Sequence, residues 1–455
     1  MDDRLQREIK AVDANTKQSA IDVQDEDYDP FSNRSQDHLN SDFAVFIHLL
    51  KAAMGSGILF LPQAFMKTGY VVAIVSSILI GALCTHTAVI TVQCSQILCK
   101  RERVPVLNFA ETAGASFRSG PRKLQKYSIA FNVATNAIVC FVQYQTTVIY
   151  ALYVATSFQQ VIEHFSNYAM DSRIYILIFL PIYLGLALIP NLKYLVPISI
   201  IGSIFLGIGL FITVYYLFVD IPSPESLNVA TNVLSLPVYC VIFLFAMHNM
   251  SILLPLENSM KNPKNMSKVL RASMALNTCI YATFGFLGYN KYNNTCDTVI
   301  KNLPLNEILA QVAKIAVSIS VMFTYGLQYF IPIGILWPII AVKIKPERQL
   351  IYEISFRLGG VFVSTFIAIA IPQMVPLLGL FTALTMTTAM LLIPITIELA
   401  TKWEYTENRT LNFLIAKNII IAIIWALLLI FGCIESIKDI IENYTGNKDN
   451  ADICG

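Results

Sequence analysis

Runs of about 20 or more predominantly apolar residues recur along most of the chain, and each is long enough as a helix to cross a hydrocarbon layer about 30 Å thick. The composition carries the same message. Hydrophobic residues make up 55% of the 455 positions and charged residues only 14%, with a mean hydropathy of +0.59. A soluble domain carries roughly 25% charged residues. An ordinary soluble enzyme is therefore excluded. So is a nucleic-acid binder, because the net charge is only +2 and no basic patch stands out. The reading is an all-α polytopic membrane protein.

Eleven helical spans are predicted, at about 43–66, 70–93, 127–157, 174–190, 194–219, 234–257, 268–290, 306–340, 352–372, 375–399 and 412–434. Residues 43–434 thus form the membrane domain, with 412–434 an extra helix and 435–455 a short tail. Residues 1–42 differ: five basic residues stand against eleven acids, a net charge of −6 that leaves about +8 on the rest. Without an apolar run to bury, this segment is expected to be a disordered acidic tail. It has no signal-peptide pattern, so the first span is expected to target the chain.

Orientation follows from the bias of Lys and Arg in short loops. Lys100, Arg101, Arg103, Arg118, Arg122, Lys123 and Lys126 lie between the second and third spans. Lys193, Lys261, Lys264, Lys343, Lys345, Arg348 and Lys402 fall on the same side. That side is read as cytoplasmic, which puts the N-terminus inside and the C-terminus outside. Of six N-x-S/T sequons, only those at Asn293 and Asn443 reach the outer side as glycosylation acceptors. The nine cysteines form no C-x-x-C or Cys/His cluster, so no zinc site or disulfide framework is indicated, and no metal or cofactor is expected.

Two spans carry helix breakers at corresponding places. The first reads His48-Leu49-Leu50-Lys51-Ala52-Ala53-Met54-Gly55-Ser56-Gly57-Ile58-Leu59-Phe60-Leu61-Pro62. The sixth reads Phe245-Ala246-Met247-His248-Asn249-Met250-Ser251-Ile252-Leu253-Leu254-Pro255. Each has a small residue, Ile-Leu and a short apolar run to proline, and they lie one repeat of five helices apart. An odd repeat length forces the halves, about 43–219 and 234–399, to insert with opposite orientation. Paired interruptions in inverted repeats point to a transporter's midplane binding site. An unwound half-helix N-terminus suits a carboxylate and the freed carbonyls suit an amino group, so the pair suits a zwitterion.

Titratable groups cluster near the first break. His48 precedes Gly55 by two helical turns, about 10 Å along one face, and Lys51 is one turn on. On the residues alone, His48 is either a proton carrier or a neutral histidine hydrogen-bonded in the bundle. His248 is a ligand, a proton carrier or a structural cap. Tyr325, Gln328 and Tyr329 in the eighth span either line a cavity or pack. Lys314 lies deeper in that span and is expected to pair or to snorkel. Ser318, Ser320 and Thr324 offer oxygens that leave sodium coupling open. Glu257, Arg271, Glu398 and Lys417 read as charges near helix ends. Glu111 belongs to a short amphipathic segment.

At these residues the chain resembles the proton-coupled amino acid transporter family, within the amino acid/auxin permease group and particularly its insect pathetic-like members. The likeness runs from about Asp42 to Phe431. Its most specific stretches are His48–Pro62, Phe323–Pro338 and Leu254–Met260 with Lys261-Asn262-Pro263. Tyr28-Asp29-Pro30-Phe31 also resembles the tail of insect members and has the form of a tyrosine-based sorting signal. The resemblance implies a five-plus-five inverted-repeat core with broken helices 1 and 6. It implies proton-driven symport of small neutral amino acids at the plasma membrane or a lysosomal or late endosomal membrane. His48 matches the family's coupling histidine, and Gly55, Ser56 and Gly57 match the break that holds the substrate carboxylate.

Two departures from the family pattern stand out. The sixth-span motif Phe-Ala-x-Glu-Gly-Ile-Gly is replaced here, with His248 for the acid and Asn249 and Ser251 for the glycines. These side chains are expected to narrow or re-line the substrate site. A different solute, or an amino-acid sensor with little flux, therefore stands as the alternative to symport. The family's outer disulfide implies a cysteine near the end of the third span, where Tyr150-Ala151 stand. Cys296 is then expected to lack its usual partner, with Cys454 on the same side.

Overall fold

The apolar runs are helical throughout the computed structural model, which describes residues 28–34, 39–166, 168, 170–224, 227–231, 235–248, 250–406 and 408–445. Among these residues there is no strand, only an isolated parallel bridge between Asn40 and Met260. The first half contains α1 (Asp42–Ala53), a 3₁₀ turn (Ser56–Phe60), α2 (Leu61–Thr68) and α3 (Tyr70–Glu102). It continues with α4 (Phe109–Arg118), α5 (Ser128–Ser166), α6 (Ser172–Ala187) and α7 (Leu192–Phe218). The second half contains α8 (Leu236–Ala246), α9 (Met250–Asn258), α10 (Met266–Tyr292) and α11 (Ile308–Ala341). α12 (Gln349–Ala370), α13 (Met374–Lys402) and α14 (Asn408–Tyr444) complete the chain.

Among the described residues, eight helices are long and apolar enough to cross a membrane, and nine if the bent pair α1 and α2 counts as one span. The two remaining expected spans do not meet that measure. α6 has 16 residues, about 24 Å at 1.5 Å per residue. α10 is long enough at 27 residues, but it carries Lys268, Arg271 and Lys291 and buries Ser273, Asn277 and Thr278. Its uncharged polar groups face protein, where such groups are tolerated at membrane depth, and its charges stand near the helix ends. The count of eleven thus rests on the order of the helices and not on each helix's own apolarity.

α7 lies along α11, α10 packs on α1, α2 and α3, and α5 packs on α4, α6 and α11. The contact of α7 with α11 is tight: a Cβ at Gly209 would sit 2.2 Å from Val317 Cγ2 and 3.2 Å from the Ala313 carbonyl. Small residues at such crossings let helix backbones approach, which is how packing drives association where lipid is as apolar as leucine. α13 is interrupted by π-helical turns at Thr382–Met386 and Thr388–Leu392. Within the first of these, Thr385 Oγ1 donates to Gln145 Oε1 of α5 at 2.8 Å. Such bulges mark places where the regular ladder is set aside for a particular contact.

Three expectations at the edges change. Residues 1–27 and 35–38 of the expected acidic tail lie outside the described residues, but 28–34 belong to the fold. Arg34 forms a buried bidentate pair with Glu257, at 3.2 and 3.1 Å. Glu257 is 0% exposed, so it is no interfacial charge. A buried carboxylate needs a partner, and the tail supplies it. The last helix runs on to Tyr444, past the expected end at 434. Its Tyr444 hydroxyl donates to the Ala370 carbonyl, and Asn443 stands exposed in the final turn. Cys296 is disulfide-bonded, so it does not lack a partner. The seven other described cysteines are free, and Cys454 lies outside the described residues.

Glu111 does what the amphipathic reading asks. It closes a capping box with Asn108 at the start of α4, through bonds of 2.8 and 2.9 Å. The other helix-end charge, Glu398, is 2% exposed and receives Lys402 Nζ at 2.9 Å and Lys417 Nζ of α14 at 2.7 Å. Lys417 therefore ties the extra helix to α13. Lys417→Met is expected to lower stability by about 1–2 kcal/mol, less than for a fully buried pair because Lys402 remains and both lysines are partly solvated. A fall in the thermal unfolding midpoint of the purified protein checks this.

Candidate transport site

The two breaks meet at the centre of the bundle. α1 stops at Ala53, Met54 N–H still bonds the Leu50 carbonyl at 2.9 Å, and Gly55 turns the chain in extended geometry into the 3₁₀ turn. The helix directions on either side differ by 43°. α8 stops at Ala246, and α9 starts at Met250. A Cβ on Gly57 would lie 2.8 Å from Ala246 Cα, so the backbones of the two breaks are in direct contact there. Phe60 and Phe245 pack edge-to-face beside this crossing at 6.0 Å.

One side chain serves both ends. The hydroxyl of Tyr281, fully buried on α10, donates to the carbonyl of Ala53 and lies 3.2 Å from the carbonyl of Ala246. These are the last residues of α1 and α8, whose terminal carbonyls have no partner along their own helix. Two of the carbonyls freed for a cation are thus held by a tyrosine.

A cavity of about 390 Å³ opens beside the first break. Its wall takes His48, Lys51, Met54, Gly55 and Ser56 from the first span and Ile252 and Leu256 from α9. α5 contributes Tyr150, α7 contributes Ser199, Ser203 and Leu206, and α11 contributes Ser320, Thr324, Leu327 and Gln328. His48 and Lys51 are exposed within it. Among the described residues, no carboxylate lines it. The cavity extends from the break toward the N-terminal end of α1.

The opposite half is shut. Pro62 and Phe65 of α2 press on Gly288 and Gly285 of α10, where an added Cβ would lie 2.4 Å from each ring. Gln63 Nε2 donates to Asp297 Oδ1 at 3.3 Å, and Asp297 pairs with Lys301 at 3.6 Å. Lys314 neither meets a carboxylate among the described residues nor snorkels. It is 0% exposed and donates to Gln160 Oε1 at 2.7 Å and to the Lys301 carbonyl at 3.1 Å.

The candidate residues divide accordingly. His48, Gly55, Ser56 and Gln328 share the cavity, while Gly57 makes the crossing instead. Tyr325 does not line it: its ring stacks on Tyr183 at 4.4 Å and its hydroxyl meets Ser364 Oγ at 3.0 Å. Tyr329 donates to the Arg357 carbonyl at 2.5 Å. Ser318 bonds back to the Lys314 carbonyl, so only Ser320 and Thr324 of the three possible oxygen donors reach the cavity. His248 and Ser251 lie outside its wall. Ser251 Oγ accepts from Gln143 Nε2 at 2.5 Å and lies 3.5 Å from His248 Nε2. Asn249 lies outside the described residues. Tyr150 is not at the end of the third span but in mid-helix, facing the cavity.

Sequence reasoning missed Tyr150, Gln143, Tyr281, Ser199 and Ser203. The two serines are spaced i, i+4 in an otherwise apolar helix, a polar stripe that signals a wet face. Tyr281 carries no comparable signal.

Two discontinuous helices crossing at mid-bundle, a cavity at the crossing, and one side shut while the other is reached define the class of secondary transporters with alternating access. The comparisons agree. Residues 40–438 match the family model described as transmembrane amino acid transporter protein, and the chain belongs to that family. It is 36% identical over 434 residues to the proton-coupled amino acid transporter-like protein pathetic of Drosophila melanogaster, covering 93% of this chain and 90% of that protein. It is 25% identical over 352 residues to the amino acid transporter AVT3A of Arabidopsis thaliana, covering 75% and 77%. Among solved structures, Mhp1 in its inward-facing conformation has the same fold, with a TM-score of 0.54 at 12% identity over 91% of this chain and 92% of that one.

Two substitutions separate crossing from cavity. Gly57→Ala places a methyl against backbone and is expected to cost about 1–3 kcal/mol, whereas Gly55→Ala, whose nearest neighbour would be 3.9 Å away, folds like the parent. Thermal unfolding of both variants distinguishes the positions. Tyr281→Phe removes the shared donor and is expected to cost about 1–3 kcal/mol, read as a lower unfolding midpoint together with slower transport.

Proposed function

We propose that this amino acid transporter moves a small neutral amino acid together with a proton. The observation that carries the reading is the placement of His48 on the cavity wall, two turns before the Gly55–Ser56 break. An imidazole can take up and release a proton, and there it is reached from the same space as the substrate. The name of the 36% identical relative, a proton-coupled amino acid transporter-like protein, supports the same reading.

In the mechanism, the N-terminal end of the 3₁₀ turn at Gly55 and Ser56 receives the substrate carboxylate. Ser199, Ser203, Ser320, Thr324 and Gln328 offer hydrogen bonds around it. The volume, about 390 Å³, suits a small solute. His48 carries the proton at the mouth. The bundle of broken helices with α3 and α10 then rocks against α5, α6, α11 and α12, and the seal at Pro62, Phe65 and Asp297 opens as the cavity closes. His248 and Ser251 act on this cycle through the α9 half-helix, where Ser251 is joined to Gln143 of α5, rather than by lining the pocket.

We place the N-terminus in the cytoplasm, so the described state faces inward. The basic loops support this, and so does the disulfide at Cys296, because such bonds persist in oxidising compartments. Asn293 and Asn443 then face outward as glycan acceptors. The membrane is the plasma membrane or that of a lysosome or late endosome.

Uptake of a panel of labelled amino acids into sodium-free proteoliposomes, with and without an inward proton gradient, tests the reading. Accumulation that collapses with a protonophore is the expected result, and His48→Ala is expected to abolish the pH-driven component without removing protein from the vesicle. Uptake by His48→Ala equal to the parent at every pH takes His48 out of the mechanism. Saturable binding without flux identifies a sensor. Uptake that needs sodium identifies a different coupling ion.

A further inference from the structure

A second cavity, larger than the first at about 680 Å³, lies at the end of the bundle that carries the N-terminal segment. Residues 28–31 form one wall, and the ends of α3 and α13 with Lys264 form the rest. Its charge is one-sided. Among the described residues, Lys100, Arg101, Lys264 and Lys402 line it against a single carboxylate, Asp29. Asp29 is partly occupied already, since its Oδ1 accepts from Phe31 N–H at 3.0 Å.

Two of the four cations are held in position. Arg101 donates to the Thr401 carbonyl at 2.8 Å, and its guanidinium lies 3.7 Å over the Tyr405 ring. Lys402 sits on Glu398, whose charge Lys417 also meets. Lys100 and Lys264 have no ion pair among the described residues. A preorganised pair of cations beside two lysines without an ion pair among the described residues makes the wall strongly basic.

The wall formed by residues 28–31 is fastened independently. Arg34 pairs with Glu257 and donates through Nε to the Pro105 carbonyl at 2.9 Å. Gln96, which lines the cavity, donates to Glu257 Oε1 at 2.8 Å and to the Pro263 carbonyl at 3.0 Å. The N-terminal segment is thus pinned to α9, a broken half-helix, and the cavity wall includes an amide bonded to the same carboxylate.

We propose that this cavity binds an anion bearing several phosphates, such as an inositol phosphate headgroup. Lysines serve phosphate as point charges and arginine serves it through paired N–H groups. The volume falls in the range of small-molecule sites, too large for one inorganic phosphate to touch all four cations. With the N-terminus in the cytoplasm, as proposed above, the site lies at the level of the inner headgroups. A bound anion would join α13 to α3 and to the segment latched on α9, and so bear on the movement of that half-helix. The source is either a membrane lipid or a soluble inositol phosphate.

The test uses the full-length protein and needs no transport, so it stands apart from the fate of the symport reading. Inositol trisphosphate is titrated calorimetrically into detergent-purified protein. In a second arm, thermal stability is read in phosphatidylcholine nanodiscs with and without phosphatidylinositol bisphosphate. Saturable binding in the first arm is expected, weakened about tenfold by Lys100→Glu or by Lys264→Glu. Lys193→Glu, an exposed charge at the start of α7 on the same side, should leave it unchanged. Lys100→Gln provides a milder variant should the reversal disturb folding. Stabilisation only in the second arm, with the same dependence on Lys100 and Lys264, supports the site and identifies the lipid as its source. No saturable effect in either arm, or equal weakening by Lys193→Glu, overturns the proposal.

Discussion

The hydroxyl of Tyr281 reaches the terminal carbonyls of two helices in the middle of the bundle, those of Ala53 and Ala246. A broken helix is affordable at membrane depth only where protein or water satisfies what the break exposes. Here one side chain from α10 does so for both breaks, and Gly57 lets the two backbones touch beside it. The cavity, the tilt between α1 and α2, and the separation of an open from a shut half all depend on that junction holding.

The charges inside the helical domain follow a second rule. Each deeply placed one is met by groups from distant parts of the chain. Glu257 is met by Arg34 from the N-terminal segment, Glu398 by Lys402 and Lys417, and Lys314 by a glutamine and a carbonyl. A buried pair of this kind adds little net stability over an apolar core, yet losing one partner is costly. Such pairs therefore specify which elements stay together. Arg34 holds the N-terminal segment to a broken half-helix, and Lys314 holds the C-terminal end of α5 and the start of α11 to the turn at Lys301. The central cavity is the exception, where His48 and Lys51 stand exposed with room around them.

The sequence was legible where a residue's role depends on its own helix. The breakers at Gly55, Gly57 and Pro62 announce the first interruption, and their counterparts near Ser251 and Pro255 announce the second. His48, Gly55, Ser56 and Gln328 come together on one cavity wall because helical spacing projects them from neighbouring turns of the first span and α11. Tyr325 has the same local character as Gln328 but is turned about 60° around α11 from it, stacked on Tyr183. No property of the residue separates those two outcomes. The expected tail failed at Arg34 for a similar reason: composition describes the average of 42 residues, while one buried ion pair decides where a segment goes.

What the sequence determined alone is the membrane, the helices, their order and the two interruptions, since these follow from apolarity, periodicity and helix-breaking residues within short windows. Its match to the transmembrane amino acid transporter protein family follows from the same text. The tertiary structure decided which face of each helix meets the cavity, that Tyr281 joins the breaks, that Gln143 rather than the pocket engages Ser251, and which half is shut. Those outcomes depend on the rotation and approach of helices far apart in the chain. Packing of whole surfaces sets them, and no local pattern of residues encodes it.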